Sequence, residues 1–330
     1  MTRPVLSLAY GRNLRVAAIL DEVVGVEGIE VVPSEVHMSE LAWRQLRRTG
    51  DGVGEFDISE LSLSSLLISV DRGDPEFVAV PVFPMRKFFH TGILVRADAG
   101  IERPEDLAGR RVGIPEYQQT GALWVRHALL HQFGVEAKDM EWWMGRSKHL
   151  SHGGATGFRV PDGVTMHYVP ENDDLGSMLL RGELDALLMY IRNTLVDRST
   201  ADLDGDSRVR TLFPDPVTEG VRYFEHTGIF PINHVLTVRR RLVERYPWLP
   251  QNLYNAFAEA KRVGEARLRS DLQPYVVAGA TTPLSRDAYP YGVRANVHVL
   301  DALRQGSFEQ GLTSRPIGLE EAFVPGLLDL

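Results

Sequence analysis

Cysteine is absent from the 330-residue chain, which excludes disulfides, thiol nucleophiles and cysteine-ligated zinc or iron–sulfur sites. Long apolar runs are absent as well. The longest notable uncharged run, Leu61–Val70, has ten residues, four of them serine, whereas a transmembrane helix needs about 18 or more apolar residues. The sequence therefore contains no candidate membrane span.

An excess of positive charge is also lacking, because 36 Lys and Arg residues stand against 44 Asp and Glu residues and the net charge is −8. An acidic chain is poorly suited to nucleic acids or anionic membranes, and neither is expected as a partner. With 44% hydrophobic and 24% charged residues, the chain can bury a sizeable core. Its length predicts two domains.

The N-terminal segment lacks the apolar stretch and the small-residue cleavage site of a secretory signal. It starts directly with a short apolar run, Val5–Tyr10. If Met1 is the natural start, this favours a cytoplasmic protein. A mature secreted chain whose signal has been removed would look similar, and this alternative stays open.

Apolar runs of strand length alternate with helical patterns along the chain. Strands are predicted at Val5–Ala9, Ile29–Val32, Phe56–Ser59, Phe77–Val82, Arg111–Pro115, Thr165–Val169, Asp185–Tyr190 and Val235–Val238. Helices are predicted at Val16–Val24, Leu41–Arg48, Leu61–Val70, Pro104–Leu107, Thr120–Phe133 with Thr120 as N-cap, Leu175–Arg181, Leu242–Arg269 and Val297–Gln305. This alternation predicts an α/β protein with mostly parallel strands, whose ligand lies beyond their carboxyl ends.

Seven short segments carry a family resemblance. Two of them, Pro104–Pro115 (PEDLAGRRVGIP) and Gly182–Leu188 (GELDALL), resemble type II periplasmic-binding-protein folds. The other five are Phe56–Ser65 (FDISELSLSS), Pro81–His90 (PVFPMRKFFH), Pro115–Thr120 (PEYQQT), Thr227–His234 (TGIFPINH) and Glu309–Thr313 (EQGLT). Together these five resemble the 4,5-dihydroxyphthalate decarboxylase family over nearly the whole chain. The sequence departs from that family at Tyr10–Asn13, Met85, Arg146–His149, His152 and Met189–Arg192.

The resemblance implies an α/β fold of the two-lobed type II periplasmic-binding-protein kind, with a ligand cleft between the lobes. Residues 1–96 and 232–330 are expected to form the first lobe, and residues 97–231 the second. The implied function is cytoplasmic decarboxylation of a hydroxylated aromatic dicarboxylate such as 4,5-dihydroxyphthalate to a dihydroxybenzoate. The alternative is a solute-binding protein that delivers a small aromatic or other carboxylate to an ABC transporter.

Loss of CO2 from a benzene ring is easier when the ring carbon is protonated first and a hydroxyl para to the carboxylate supplies electrons. Such a site needs a proton donor, an acceptor for the hydroxyl proton, and cations for the carboxylate that stays. No redox cofactor is required, and whether a divalent metal assists stays open.

Three side chains are candidates for proton transfer. His234 closes the TGIFPINH segment near a lobe crossover, and histidine titrates near neutral pH, so it is the expected proton donor. Glu60 and His90 are the expected acceptors of the hydroxyl proton. The structural alternatives are a histidine bonded within a hinge, a carboxylate bonded to backbone, and a packing histidine.

Five further residues are candidates for substrate binding. Arg86 and Arg12 offer positive charge for carboxylates. Ser62 and Thr120 mark two helix starts, where free amides bind anions, and Tyr117 is expected to pack on the ring. The alternatives are solvated arginines and ordinary helix caps.

No metal site is predicted. His127 and His131 share a helix face at i, i+4 spacing, but no glutamate of a zincin motif lies between them, and a structural role is favoured. His149 and His152 belong to the expected loop Ser147–Gly163, where their only expected role is a cleft flap. The expected partner is a small aromatic carboxylate, and a homo-oligomer stays open.

Overall fold

The computed structural model describes residues 3–49, 52–73, 76–277 and 287–330. The strands are β1 (Val5–Tyr10), β2 (Glu30–Glu35), β3 (Arg48–Thr49), β4 (Gly52–Val53), β5 (Ile58–Ser62), β6 (Phe77–Arg86), β7 (Leu94–Arg96), β8 (Arg111–Ile114), β9 (Glu141–Met144), β10 (Thr165–Tyr168), β11 (Ala186–Leu187), β12 (Val209–Thr211) and β13 (Ile232–Arg239). The helices are α1 (Ala17–Leu20), α2 (Met38–Leu46), α3 (Leu63–Asp71), α4 (Thr120–Phe133), α5 (His152–Thr156), α6 (Leu175–Arg181), α7 (Pro216–Thr227), α8 (Arg240–Arg245), α9 (Leu249–Val277), α10 (Val297–Glu309) and α11 (Leu319–Ala322).

The first sheet has five strands in the order β2-β1-β5-β13-β6. Strand β1 pairs in parallel with β2 and β5, whereas β13 runs antiparallel to both β5 and β6. Every residue of β5 and β13 is buried, as expected for strands covered on both faces. This sheet therefore joins the early part of the chain to a strand that returns after residue 231.

The second sheet has six strands in the order β10-β9-β8-β11-β7-β12. Strands β8 to β11 pair in parallel, and β7 is antiparallel to β11 and β12. Two sheets with two crossovers confirm the predicted α/β fold. The expected first boundary, after residue 96, needs correction, because Leu94–Arg96 already pairs in the second sheet and the crossover therefore precedes it. Strand β13 begins at Ile232, beside the second expected boundary.

Two apolar cores hold the sheets and helices together. The larger core extends across both sheets and includes Leu66 of α3, Phe83 of β6 and Leu123 of α4. The second core packs the other face of the first sheet, through residues such as Leu236, against Phe257 of α9. The larger core is continuous from one lobe to the other, and α3 and α4, the two helices that begin at the cleft, both pack into it.

Several predicted boundaries differ from the structure for identifiable reasons. Helix α1 ends early because Glu22, just beyond it, has φ +57°, a conformation that a helix cannot include. Strand β6 continues through Pro84, which an edge strand tolerates. The expected loop Ser147–Gly163 contains α5, whose N-terminus is capped by Ser151. Thr120 is the first residue of α4 rather than its N-cap.

Candidate active site

A cavity of about 430 Å³ is lined by residues of both lobes. Ser62 lies at the end of β5, Gln119 follows β8, Arg146 follows β9 and Leu188 follows β11, and all four line the cavity. The site therefore sits beyond the carboxyl ends of parallel strands, where the α/β pattern predicted a ligand.

His234 reaches this cavity from β13, directly opposite Ser62 of β5. The register of β13 against β6 shifts on both sides of His234, and such irregularities re-aim side chains. Asn233 and His234 are adjacent in sequence, yet both line the cavity.

The imidazole of His234 is held by Glu60. Its Nδ1–H donates to Oε1 of Glu60 at 2.5 Å, and the second carboxylate oxygen accepts the backbone N–H of Gly11 at 3.1 Å. The Glu60 side chain is only 1% exposed and does not line the cavity. With Nδ1 committed, Nε2 is the nitrogen left for a ligand. Glu60 thus positions His234, which corrects the expectation that it takes the hydroxyl proton itself.

Arg146 and His152 form a second polar group in the cavity. Arg146 makes a two-point ion pair with Asp197 at 2.8 and 2.9 Å, and its Nη1–H donates to Nε2 of His152 at 2.8 Å. Since arginine only donates, the proton of His152 lies on Nδ1, 3.2 Å from the hydroxyl of Ser65. Burial, together with the charges of Arg146 and His234, lowers the pKa of His152 well below its usual range.

Glu116 fixes the segment that carries His152. Its carboxylate accepts the Ser151 hydroxyl at 3.0 Å and the backbone N–H of His152 at 3.1 Å. Burial raises the pKa of Glu116 to about 7, although the nearby charge of Arg146 opposes this shift. The orientation of His152 therefore depends on a carboxyl group that titrates close to neutrality.

The two helix starts meet at the cleft. The Ser62 and Thr120 hydroxyls lie 2.9 Å apart. Ser62 Oγ accepts the N–H of Thr120 at 3.3 Å, and Thr120 Oγ1 accepts the N–H of Ser64 at 3.0 Å. Each hydroxyl therefore caps the helix of the opposite lobe. Thr120 is fully buried, so the expected contact between its hydroxyl and a ligand is corrected, whereas its neighbours Gln119 and Gly121 line the cavity.

Apolar and positively charged side chains complete the wall. Met38, Met85, Met189 and Phe89 line the cavity, and sulfur and aromatic groups suit a flat aromatic ring. Lys87 lines it as well and is exposed. Among the described residues no carboxylate lies within ion-pair distance of its ammonium group, which leaves Lys87 available to an anionic ligand.

Arg86 does not face this cavity. Side chains alternate along a strand, so Met85 and Lys87 line the cavity while Arg86 points to the opposite side. There it donates to two backbone oxygens at 3.2 and 3.0 Å and to the side chain of Asn296. Burial lowers its pKa to about 9. The expected role of Arg86 in substrate binding is therefore corrected to a structural one.

Arg12 also lies outside the cavity. Its guanidinium pairs with Glu35 at 2.6 Å and Asp21 at 2.8 Å, and its side chain is 43% exposed. Asp21 directly follows α1, and Glu35 is the last residue of β2. The expectation that Arg12 binds a carboxylate of the substrate is corrected, because two carboxylates of the protein already occupy it.

His90 and Tyr117 are buried away from the cavity. Nε2 of His90 lies 3.2 Å from Oε1 of Glu219, within an aromatic cluster, so its expected role in proton transfer is corrected. Tyr117 packs edge-on against Trp142, with ring centroids 5.3 Å apart. It lines a different cavity, because the chain turns between Tyr117 and the start of α4. The expected stacking of Tyr117 on a substrate ring is corrected as well.

His127 and His131 on α4 contact each other, and His131 also contacts a glutamate of α10. The rings of His127 and His131 lie 4.3 Å apart, and His131 pairs with Glu309 at 2.9 Å.

Within residues 3–49, 52–73, 76–277 and 287–330, no group of three or more His, Asp or Glu side chains is arranged to hold a metal ion. In the same part of the chain, every helix is too short or too polar to cross a bilayer.

Sequence reasoning missed Arg146, Lys87 and Asn233. Lys87 adjoins Arg86, and strand alternation brings only Lys87 to the cavity. Asn233 adjoins His234, and both line the cavity where the pairing of β13 is irregular. The sequence did point to Arg146 and His152 as unusual, since both lie in segments where it departs from the family it resembles.

Comparison with known proteins identifies relatives of this chain by sequence and by fold. A sequence profile described as "ABC transporter, phosphonate, periplasmic substrate-binding protein" matches residues 51–244. A 4,5-dihydroxyphthalate decarboxylase from Comamonas testosteroni is 34% identical over 100% of this chain and 99% of its own. A second 4,5-dihydroxyphthalate decarboxylase, from Pseudomonas putida, is 36% identical over 57% of this chain and 71% of its own. The periplasmic aliphatic sulphonate binding protein SsuA from Escherichia coli has the same fold, with a TM-score of 0.56, 16% identity and 100% coverage of both chains.

Proposed function

Because the chain belongs to the 4,5-dihydroxyphthalate decarboxylase family, and to the wider substrate-binding-protein family whose profile it matches, we propose that it is a carboxy-lyase. The proposed substrate is a hydroxylated aromatic dicarboxylate such as 4,5-dihydroxyphthalate, and the product is a dihydroxybenzoate. The observation that carries the proposal is the pairing of Glu60 with His234, which presents one imidazole nitrogen to the cavity.

The proposed reaction begins with proton transfer to the ring carbon that bears the departing carboxylate. A new C–H bond forms there, and the para hydroxyl delocalises the resulting positive charge. The bond between this carbon and the carboxylate then breaks, its electron pair returns to the ring, and CO2 leaves. The net change replaces one carboxylate by one hydrogen and consumes one proton, so no oxidant or reductant is needed.

His234 is the proposed proton donor. Glu60 holds Nδ1, so a protonated imidazole carries its transferable proton on Nε2. The buried carboxylate fixes the orientation of the ring and balances the positive charge of the imidazolium. Glu60 itself is a positioning residue, since it touches His234 and lies outside the cavity lining.

Lys87 is the proposed anchor for the carboxylate that stays on the ring. It lines the cavity without a carboxylate partner among the described residues, whereas Arg146 is already paired with Asp197. The methionines and Phe89 would hold the aromatic ring against the apolar wall.

The second candidate is a solute-binding protein for a small aromatic or other carboxylate, presented to an ABC transporter. The matching profile of a periplasmic substrate-binding family and the fold shared with SsuA favour it. A binding protein needs the cavity, its cation and its apolar wall, but it gains nothing from a buried carboxylate that orients a histidine. We therefore place it second.

Location and partners belong to the same proposal. A cytoplasmic protein with an aromatic dicarboxylate as partner fits the decarboxylase, and a periplasmic protein that contacts a transporter fits the alternative. Separation of periplasmic and cytoplasmic fractions of cells that express the natural gene distinguishes the two locations.

Incubation of the protein with 4,5-dihydroxyphthalate, and with phthalate as a matched analogue without hydroxyl groups, tests the proposal. We expect release of one CO2 per dihydroxyphthalate together with a dihydroxybenzoate, and no CO2 from phthalate, because that ring lacks the electron-supplying hydroxyl. Tight binding of both acids without CO2 from either would support the solute-binding alternative.

A further inference from the structure

A second cavity, of about 470 Å³, shares no lining residue with the active-site cavity. Arg126 of α4, Tyr117 and Gln310 are among the residues that line it. The exposed side chains of Val160 and Phe308 add apolar surface at this cavity. None of the roles proposed for the active site uses these residues.

Arg126 is the unusual feature of this cavity. Only 2% of it is exposed, and its Nε–H donates to Oε1 of Gln310 at 2.9 Å. Its two terminal nitrogens, Nη1 and Nη2, are buried without any hydrogen-bond partner, as is the hydroxyl of Tyr117. Among the described residues no carboxylate pairs with this guanidinium.

A buried charge without a partner is costly, and folded proteins seldom retain one. The ring of Tyr117, 3.8 Å from the guanidinium carbon, offsets part of this cost through a cation–π contact, but it cannot accept hydrogen bonds in the plane of the guanidinium. The missing partner is therefore an in-plane acceptor.

The chemistry of that acceptor follows from the donors. Two parallel N–H groups at one end of a planar guanidinium match the two oxygens of a carboxylate. Arg159 adds an exposed positive charge at the cavity, with no ion pair among the described residues. Three carboxylates also line it: Glu136 pairs with Lys138 at 2.7 Å, Glu309 pairs with His131 at 2.9 Å, and the third is Asp162. The apolar side chains favour a ligand with an apolar body behind its carboxylate.

We propose that this second cavity binds a small aromatic carboxylate through the terminal nitrogens of Arg126. The site is separate from the decarboxylation chemistry, and its existence does not depend on the proposed function. Arg126 lies on α4, less than two turns after Thr120, the residue at which this helix begins at the cleft.

Calorimetric titration of the full chain with 4-bromobenzoate tests this site. The titration uses the Lys87→Met variant, because this substitution weakens carboxylate binding in the active-site cavity. We expect the cavity lined by Arg126 to remain as the single binding site. Arg126→Met in that background should weaken it about 10- to 150-fold, as for loss of charge-assisted hydrogen bonds. Arg245→Met is the matched control, because Arg245 also lies over a tyrosine ring, that of Tyr246, but outside this cavity, and it should change nothing. Equal affinity in the Arg126→Met and control proteins would overturn the proposal.

The anomalous signal of bromine locates the ligand without any variant. Crystals of the unmodified chain grown with 4-bromobenzoate should show a bromine peak in the cavity lined by Arg126 and Phe308. A peak confined to the active-site cavity, or no peak, would contradict the site. Titrations with inorganic phosphate and with acetate, a carboxylate without a ring, complete the test. Binding of either anion in preference to 4-bromobenzoate would overturn the assignment to an aromatic carboxylate.

Discussion

His234 and Glu60 lie diagonally across the antiparallel pair β5 and β13, with Nδ1 and Oε1 2.5 Å apart. His234 is opposite Ser62 in this pair, and Glu60 is opposite Leu236, so the two side chains share one face of the sheet. The carboxylate is buried and the imidazole borders the cavity. The first two of the following predictions depend on this division between a positioning group and a reacting group.

Replacement of His234 by asparagine removes the proton donor but retains a polar side chain. We expect turnover of 4,5-dihydroxyphthalate to fall about 10²- to 10⁴-fold, the usual contribution of a general acid, while substrate affinity stays within a few fold. His167→Asn is the control, because His167 also pairs with a glutamate, Glu141 at 2.9 Å, but on the surface. Near-normal turnover of His234→Asn would exclude this histidine as the donor.

Glu60→Gln removes the charge that orients His234 and keeps an oxygen that can accept the Gly11 N–H. We expect turnover to fall about 10²-fold or more with little change in KM, as for the loss of an orienting carboxylate behind a catalytic histidine. Steady-state kinetics separate the two parameters. A rise in KM with unchanged turnover would place Glu60 in substrate binding instead.

Lys87→Met should weaken substrate binding, because the side chain keeps its apolar stem and loses the charge that faces the substrate carboxylate. Loss of a charge-assisted contact predicts a decrease of about 10- to 150-fold in affinity, measured by calorimetry with an unreactive substrate analogue such as phthalate.

Arg86→Ala is the matched control for Lys87→Met, since the two cations are adjacent and face opposite sides. Arg86 holds backbone oxygens and Asn296, so its loss should lower the free energy of unfolding by about 2–4 kcal/mol and leave phthalate affinity within a few fold. The reverse outcome, with weaker binding in Arg86→Ala and normal binding in Lys87→Met, would restore the role that the sequence suggested for Arg86.

Glu116 gives the folded protein a defined dependence on pH. Burial raises the pKa of this carboxyl from 4.5 to about 7, so the folded chain retains a proton that the unfolded chain has released. The stabilising contribution of protonated Glu116 is fully present below pH 4.5 and is lost as the pH rises through about 7. For a shift of this size the loss is about 3 kcal/mol.

Glu116→Gln should remove this dependence, since the amide does not titrate. Urea unfolding at pH 5 and pH 8 measures the effect. His152 titrates in both proteins, so the difference between their pH profiles isolates Glu116. Parallel profiles for the two proteins would show that this carboxyl is ionised in the fold throughout the range.

The fold was predictable from sequence because its signals are local. Apolar strand-length runs such as Val5–Ala9 and helical patterns such as Leu175–Arg181 correspond to β1 and α6. The errors arose where a longer-range contact decides the outcome. Thr120 has the sequence of a helix cap, yet its hydroxyl caps the opposite helix through Ser64, and no local pattern contains that contact.

The candidate site was only partly predictable for the same reason. His234 and Ser62 lie at the cavity as expected, since both sit where a strand meets the cleft. Arg86 was a reasonable candidate by composition, but a shift of one position along a strand reverses the face that a side chain occupies. Arg12 was assigned to the ligand because it is a cation in the loop after the first strand, and no local pattern shows that Glu35 and Asp21 pair with it.

The most direct test of the central claim follows the hydrogen that replaces the carboxylate. The unmodified chain is incubated with 4,5-dihydroxyphthalate in D2O, and the product is examined by NMR and mass spectrometry. If His234 protonates the ring from a site that exchanges with solvent, the dihydroxybenzoate will carry one deuterium, at the carbon that lost CO2. Recovery of intact substrate with no CO2, or a product whose new hydrogen is not solvent-derived, would contradict the account.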